Sequence, residues 1–168
     1  DWAVWGDAAH KSNLVSSIFQ DWNELEQHNE KICAKYRVME EHEQRSTGYR
    51  LDGATTLVVA CNTPARMAKA AVERLRQEGR PVGLFQPLTL WPFPIKALLR
   101  ELQHAQRIVV VEASDGQLED ELRLALSHAD LPVPPLSHVR RQGGMLPSQR
   151  EIVDHVLAMS NASLEGVR

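Results

Sequence analysis

The sequence predicts an α/β fold: a three-layer sandwich with a mainly parallel sheet, preceded by a long N-terminal helix. Three observations carry this. Short apolar, β-branched runs at residues 55–61 (TTLVVAC), 82–85 and 107–112 (RIVVVE) have the character of strands covered on both faces. Between them lie longer segments whose apolar residues recur at helical spacing, and such alternation implies right-handed crossovers and a parallel sheet. Residues 21–44 are different: they are highly charged around one thin apolar stripe.

Taken in order, residues 1–17 show no period and hold Trp2, Trp5 and Gly6. They are expected as an extended lead-in lying along another surface, because two exposed tryptophans are unusual on a free monomer. Asp21 is positioned to cap the helix over 21–44, with Glu24 at capping-box spacing. Leu25, Ile32, Tyr36 and Met39 form its stripe, which suits a surface or bracing helix. At ~1.5 Å per residue it would run about 36 Å. Residues 46–54 are polar, contain Gly48 and Gly53, and are expected as a linker.

The first strand, 55–61, leads to a helix that Asn62 or Thr63 would cap, with Pro64 in its first position. Met67, Ala71, Val72 and Leu75 face inward and Gly79 closes it. After the second strand comes the turn Thr89-Leu90-Trp91-Pro92-Phe93-Pro94, with two aromatics each followed by a proline. Proline restricts its own φ and the conformation of the preceding residue, so this turn is rigid and aims Trp91 and Phe93 at a packing surface. Both are expected to dock a domain or subunit, with the chain's own core as the alternative surface. Ile95, Leu98, Leu99 and Leu102 then define a helix, 107–112 a third strand, and Leu118, Leu122, Ala125 and Leu126 the next helix, started by Ser114 or Asp115. A fourth strand is expected within 131–139, near a sheet edge because prolines interrupt it. Pro147 opens a last helix with Ile152, Val153, Val156 and Leu157 inside, and the tail is expected to fray. The expected strand order, counting these four, is 2-1-3-4. The resulting division is 1–50 lead-in and bracing helix, 51–160 α/β domain, 161–168 tail.

Composition limits the function. A net charge of −3 leaves no electrostatic footprint for nucleic acid, and no apolar run approaches the ~20 residues that span a bilayer. The chain begins at Asp1 without a signal-peptide pattern and is expected to be a fragment of a longer polypeptide. Cys33 and Cys61 are the only cysteines, too few for an iron–sulfur cluster or a four-cysteine zinc site. They read as bystander thiols in a reducing cytoplasm. His28 and His42 read as solvated.

Open parallel sheets bind ligands at the carboxyl ends of their strands. A ligand edge is therefore sought at Asn62, Arg66, Gly116 and Gln117: Arg66 as an anion partner near free helix N–H groups, Gly116 as a point of close backbone approach. Surface ion pairing for Arg66 and an ordinary turn for Gly116 are the competing readings. Neither G-x-G-x-x-G nor G-x-x-x-x-G-K-[ST] occurs. Asp115, Glu119, Asp120 and Glu121 are expected as a solvated helix start, where the macrodipole favours acids. Ser114, His138 and Asp130 lack the context of a catalytic triad. No catalytic or metal-binding set emerges.

The aromatic–proline turn, with Val82-Gly83-Leu84 before it and Val110-Val111-Glu112 and Gly116-Gln117 after it, resembles the 2-oxoacid:ferredoxin oxidoreductases. The similarity is to the C-terminal, transketolase C-terminal-like domain of their alpha subunit. Ala65-Arg66 with Ala71-Val72, and Gly143-Gly144-Met145 with Pro147, fit the same domain. Asp1-Trp2-Ala3-Val4, Leu25-Glu26, Asn29 and Lys35-Tyr36 resemble the 2-ketoisovalerate branch. The resemblance implies an assembled enzyme that converts a 2-oxoacid and CoA to acyl-CoA and CO2 and reduces ferredoxin. It would use thiamine diphosphate, Mg and iron–sulfur clusters, none bound by this stretch. The implied partners are the remaining alpha-subunit domain, beta and gamma/delta subunits and ferredoxin, with a homodimer also consistent. The implied role is non-catalytic. The rival reading is a stand-alone regulatory or small-ligand-binding α/β domain. This chain departs from the family pattern at Cys61-Asn62, where Tyr-Gly is usual, and at Ser114-Asp115-Gly116-Gln117, where Asn-x-Gly-Gln is usual.

Overall fold

The computed structural model describes residues 3–129 and 133–165, with side chains through 159. The chain forms two compact units, Asp1–Glu41 and His42–Arg168.

In the first unit, a 3-10 turn at Lys11–Asn13 interrupts an irregular lead-in, and the Asn13 amide donates to the Ala3 carbonyl at 2.8 Å. Helix α1, Trp22–His42, follows. Asp21 caps it as expected, its carboxylate accepting from the N–H groups of Asn23 and Glu24 at 2.9 and 3.0 Å. Phe19 lies on the His28 ring with centroids 4.3 Å apart. No residue of α1 is buried.

The second unit is a five-stranded sheet between two helix layers. Its elements are β1 (Ser46–Tyr49), β2 (Thr56–Ala60), α2 (Asn62–Gln77), β3 (Val82–Pro87), α3 (Ile95–Leu102), β4 (Arg107–Glu112), α4 (Gln117–His128), β5 (Leu136–Arg140) and α5 (Gln149–Glu165). The order is β1-β3-β2-β4-β5. β3, β2, β4 and β5 run parallel and reproduce the expected 2-1-3-4 arrangement. The addition is β1, which pairs antiparallel with β3. Residues 46–49 are therefore a strand and not linker. Their polar composition suits an edge, where only one side of the strand needs a hydrogen-bonding neighbour.

Alternation along the central strands sends side chains to two cores. Val58, Ala60, Leu84, Val109 and Val111 meet α2 and α5 through Ala68, Val72, Leu75, Ile152 and Val156. Leu57, Val59, Phe85, Ile108 and Val110 meet α3 and α4 through Leu98, Leu118, Leu122 and Leu126. This is the three-layer sandwich.

Helix ends follow local chemistry. Gly79, at φ +75°, closes α2: the Arg80 N–H reaches the Leu75 carbonyl at 2.9 Å and the Gly79 N–H reaches Arg76 at 3.0 Å. Ser148 and Glu151 satisfy each other's N–H groups ahead of α5. Two expected caps are corrected. Cys61 precedes α2 and no side chain caps it; Asn62 instead takes a left-handed φ of 52°. α4 begins at Gln117 after Gly116, later than Ser114 or Asp115. The last expected strand lies at Leu136–Arg140, and residues 130–132, including Asp130, fall outside the described residues. α5 continues as helix to Glu165, through most of the stretch expected to fray; 166–168 are outside the described residues.

Candidate functional site

From β2 the chain crosses through α2 to β3 on one side; from β4 it crosses through α4 to β5 on the other. The carboxyl ends of β2 and β4 therefore diverge, the place where open parallel sheets form crevices. A cleft of about 560 Å³ lies there. Cys61, Asn62, Thr63 and Pro64 line it from the β2–α2 junction, and Glu112, Ala113, Ser114, Gln117, Leu118 and Glu121 from the β4–α4 side. Leu90 of the aromatic turn and Leu146 of the loop before α5 complete the wall.

Of the four expected edge residues, Asn62 and Gln117 line the cleft. Arg66 is exposed on α2 and is not part of the wall. Gly116 has a structural job. At φ +114°, any Cβ would come within 2.8 Å of the Arg140 guanidinium, so a glycine lets that side chain lie across the start of α4.

Arg140 serves a buried acid pair. Glu112 is only 2% exposed. One of its oxygens accepts from Ser114 Oγ at 2.6 Å and from the Leu118 N–H at 3.1 Å, which places a carboxylate on the N-terminus of α4. Its other oxygen lies 3.5 Å from Arg140 Nε. Glu119, expected as solvated, is buried: Arg140 donates to it at 2.5 Å, Arg123 at 2.7 Å, and His138 Nδ1 lies 3.1 Å away. Burial raises the Glu119 pKa, but the hydrogen bonds and charges of Arg123 and Arg140 outweigh it and hold the carboxyl below its usual value. Two ion-paired carboxylates around one arginine are a structural clasp, since a buried charge is tolerated only when paired. Burial, and then the charge of Glu112, pushes the Cys61 thiol up, so it is a poor nucleophile near neutral pH.

The aromatic turn splits its two rings. Trp91 precedes a cis Pro92 and is 48% exposed. Phe93 is 7% exposed and joins the core with Leu98 and Phe85. Phe93 therefore packs inside its own domain, and of the pair only Trp91 presents a ring at the surface. Thr89 ties the turn down, donating to the Pro92 carbonyl at 2.9 Å and accepting from the Arg45 N–H at 3.0 Å.

Cys61 stands on the strand-end edge where its departure from the family pattern put it; sequence reasoning missed Glu112, Leu90 and Leu146 as cleft walls. Glu112 carried a signal: a carboxylate that ends a run of valines must find a partner when the strand is buried.

The residues present do not fit the cofactors that the resemblance implies. Among the described residues no lysine, arginine or histidine lines the cleft to meet a diphosphate, and the Leu118 N–H at the start of α4 is already bonded to Glu112. Among the described residues, no three His, Cys, Asp or Glu side chains group as metal ligands.

The fold, with its aromatic–proline turn beside the switch point, defines a transketolase C-terminal-like α/β domain. The 2-oxoglutarate:ferredoxin oxidoreductase from Magnetococcus marinus, solved with 2-oxoglutarate, coenzyme A and succinyl-CoA bound, superposes with a TM-score of 0.68 at 20% identity, over 83% of this chain and 24% of that one. A split-gene transketolase, an inactive beta4 tetramer, gives 0.57 at 22% identity, over 68% and 40%. At these identities the likeness concerns the fold. Residues 54–152 match the pyruvate:ferredoxin oxidoreductase core domain II, and the chain belongs to that family. The ketoisovalerate oxidoreductase subunit VorB of Methanothermobacter thermautotrophicus is 36% identical over 96% of this chain and 45% of its own length. VorB of Methanothermobacter marburgensis is 35% identical with the same coverage. A 2-oxoglutarate synthase subunit KorA from Methanocaldococcus jannaschii is 33% identical over 60% of this chain and 26% of its own length. The chain thus spans about half the length of the VorB relatives.

Proposed function

We propose that this chain is a non-catalytic domain of the alpha subunit of a thiamine-diphosphate-dependent 2-ketoisovalerate:ferredoxin oxidoreductase. In the assembled enzyme a 2-oxoacid and CoA become acyl-CoA and CO2, and two electrons pass to ferredoxin. The observation that carries this is the 36% identity to a ketoisovalerate oxidoreductase subunit across nearly the whole chain. The ion pairing of Glu112 and Glu119 with Arg140, and the raised Cys61 pKa, support a role without chemistry of its own. Thiamine diphosphate, Mg and the clusters then reside in other parts of the enzyme, and this domain contributes packing surface. Trp91 is the side chain of the turn available to dock the remaining alpha-subunit domain or another subunit. Cytoplasmic residence belongs to the same reading; among the described residues no helix is long and apolar enough to cross a membrane.

The test is CoA-dependent reduction of ferredoxin, with 2-ketoisovalerate, 2-oxoglutarate and pyruvate compared. The chain alone is expected to be inactive, and the complex containing it to prefer 2-ketoisovalerate. Turnover by the chain alone, or a complex indifferent to 2-ketoisovalerate, contradicts the proposal.

A further inference from the structure

The cleft between β2 and β4 lies at the switch point, and its volume of about 560 Å³ is within the roughly 300–1,000 Å³ of small-molecule sites. What it can hold follows from its wall. Pro64, Leu90, Leu118 and Leu146 supply an apolar body. Among the described residues, charge comes only from carboxylates, Glu112 and Glu121. Glu112 bonds Ser114 and Leu118 through one oxygen; its other oxygen is ion-paired with Arg140 at 3.5 Å but accepts no hydrogen bond among the described residues. Glu121 is exposed, and its side chain has no hydrogen bond or ion pair among the described residues. Gln117 lies one helical turn before Glu121 on α4, so the two share a face. The side chains of Gln117, Asn62 and Thr63 likewise carry no hydrogen bond among the described residues.

An apolar pocket with a free carboxylate on its rim and no cation favours a positively charged head group over an anionic one. The start of α4 is already taken by Glu112, while the start of α2, which also lines the cleft, has no side-chain cap; the comparison of amine with carboxylate probes therefore decides the sign of the guest. We propose that this cleft binds a small molecule carrying an ammonium group on an apolar body, with Glu121 meeting the ammonium and Leu90 and Leu146 the hydrocarbon. The inference rests on the wall of the cleft and is independent of the oxidoreductase reading.

Three probes share one hydrocarbon body and differ in charge: 3-methylbutylamine, L-leucine and 3-methylbutanoate. Binding to the full chain is followed by leucine-methyl NMR. Saturable shifts at Leu90 and Leu146 are expected with 3-methylbutylamine, and binding of 3-methylbutanoate about fivefold weaker or more, as for an exposed charge contact. Glu121→Gln should remove the preference for the amine while leaving the fold intact, because Glu121 is exposed. Leu146→Asn should weaken the amine. L-Leucine binding more tightly than the amine would support the site and add a carboxylate contact; weaker binding would support it with the ammonium alone in contact. Equal or tighter binding of 3-methylbutanoate than of the amine, an unchanged preference in Glu121→Gln, or no saturable binding of the amine would overturn the proposal. None of these outcomes bears on 2-oxoacid turnover by the assembled enzyme.

Discussion

Trp91 and Phe93 stand two residues apart in one rigid turn, yet they have different energetic roles. Phe93 fills core space with Phe85 and Leu98. Truncating a buried aromatic loses both transfer energy and packing, so Phe93→Ala should lower stability by about 3–5 kcal/mol in urea unfolding. Trp91 is 48% exposed and keeps contacts of its own, so Trp91→Ala should cost clearly less than Phe93→Ala, about 1–2 kcal/mol. Reversal of that order would refute this division of roles. If Trp91→Ala leaves the chain folded but prevents the oxidoreductase subunits from assembling, the exposed ring is a docking anchor.

At the scale of elements, the seams between β5 and its helices are held by groups that titrate. α4 contributes Glu119 to the Arg140 clasp, and its carboxyl is held below the ordinary value of 4.5. α5 contributes His155, whose Nε2 lies 2.9 Å from Ser137 Oγ of β5. Burial, and then the charge of His138, lowers the His155 pKa below 6.5. Both groups bind protons more readily when unfolded, so both stabilise the fold at higher pH. The His155 contribution is full above pH 6.5 and is lost as pH falls below it; the Glu119 contribution is lost below 4.5. Unfolding free energy should therefore decline in two stages from pH 7 to pH 4. His155→Gln should flatten the first stage, and an unchanged slope between pH 7 and 5 would argue against that assignment. The edge strand β1 shows another device of this scale. Arg76 of α2 donates to the carbonyls of Arg50, Asp52 and Val82 at 2.6, 2.9 and 2.6 Å, which fastens the β1–β2 connection to the sheet.

In the whole molecule, every buried core residue among the described residues lies in the second unit, between Ala54 and Val156, and α1 buries none. Helices this polar gain little from propensity alone. A chain beginning at His42 should therefore keep one cooperative thermal transition and the near-ultraviolet signal of its packed aromatics. Loss of cooperativity on removing residues 1–41 would show that the first unit is needed for folding.

The sequence by itself determined the parallel strands and most helix faces, because hydrophobic period and Pro/Gly punctuation are local signals; the order of the sheet, including β1 at its edge, is set by contacts distant in sequence. The aromatic–proline turn and Gly116-Gln117 also marked the family, since these residues stand at fixed places beside strand ends. Tertiary structure decided the rest. Ser46–Tyr49 became a strand because β3 offered an open edge, which polar residues do not announce. Glu119 looked like a solvated helix start and was buried because Arg140, on the neighbouring strand, neutralises it across Gly116. Leu90 and Leu146 became walls of one cleft with Asn62 and Gln117 only when the crossovers on either side of β2 and β4 brought four separate segments together. Periodicity reports which face a residue occupies; which charges and loops meet there depends on contacts distant in sequence.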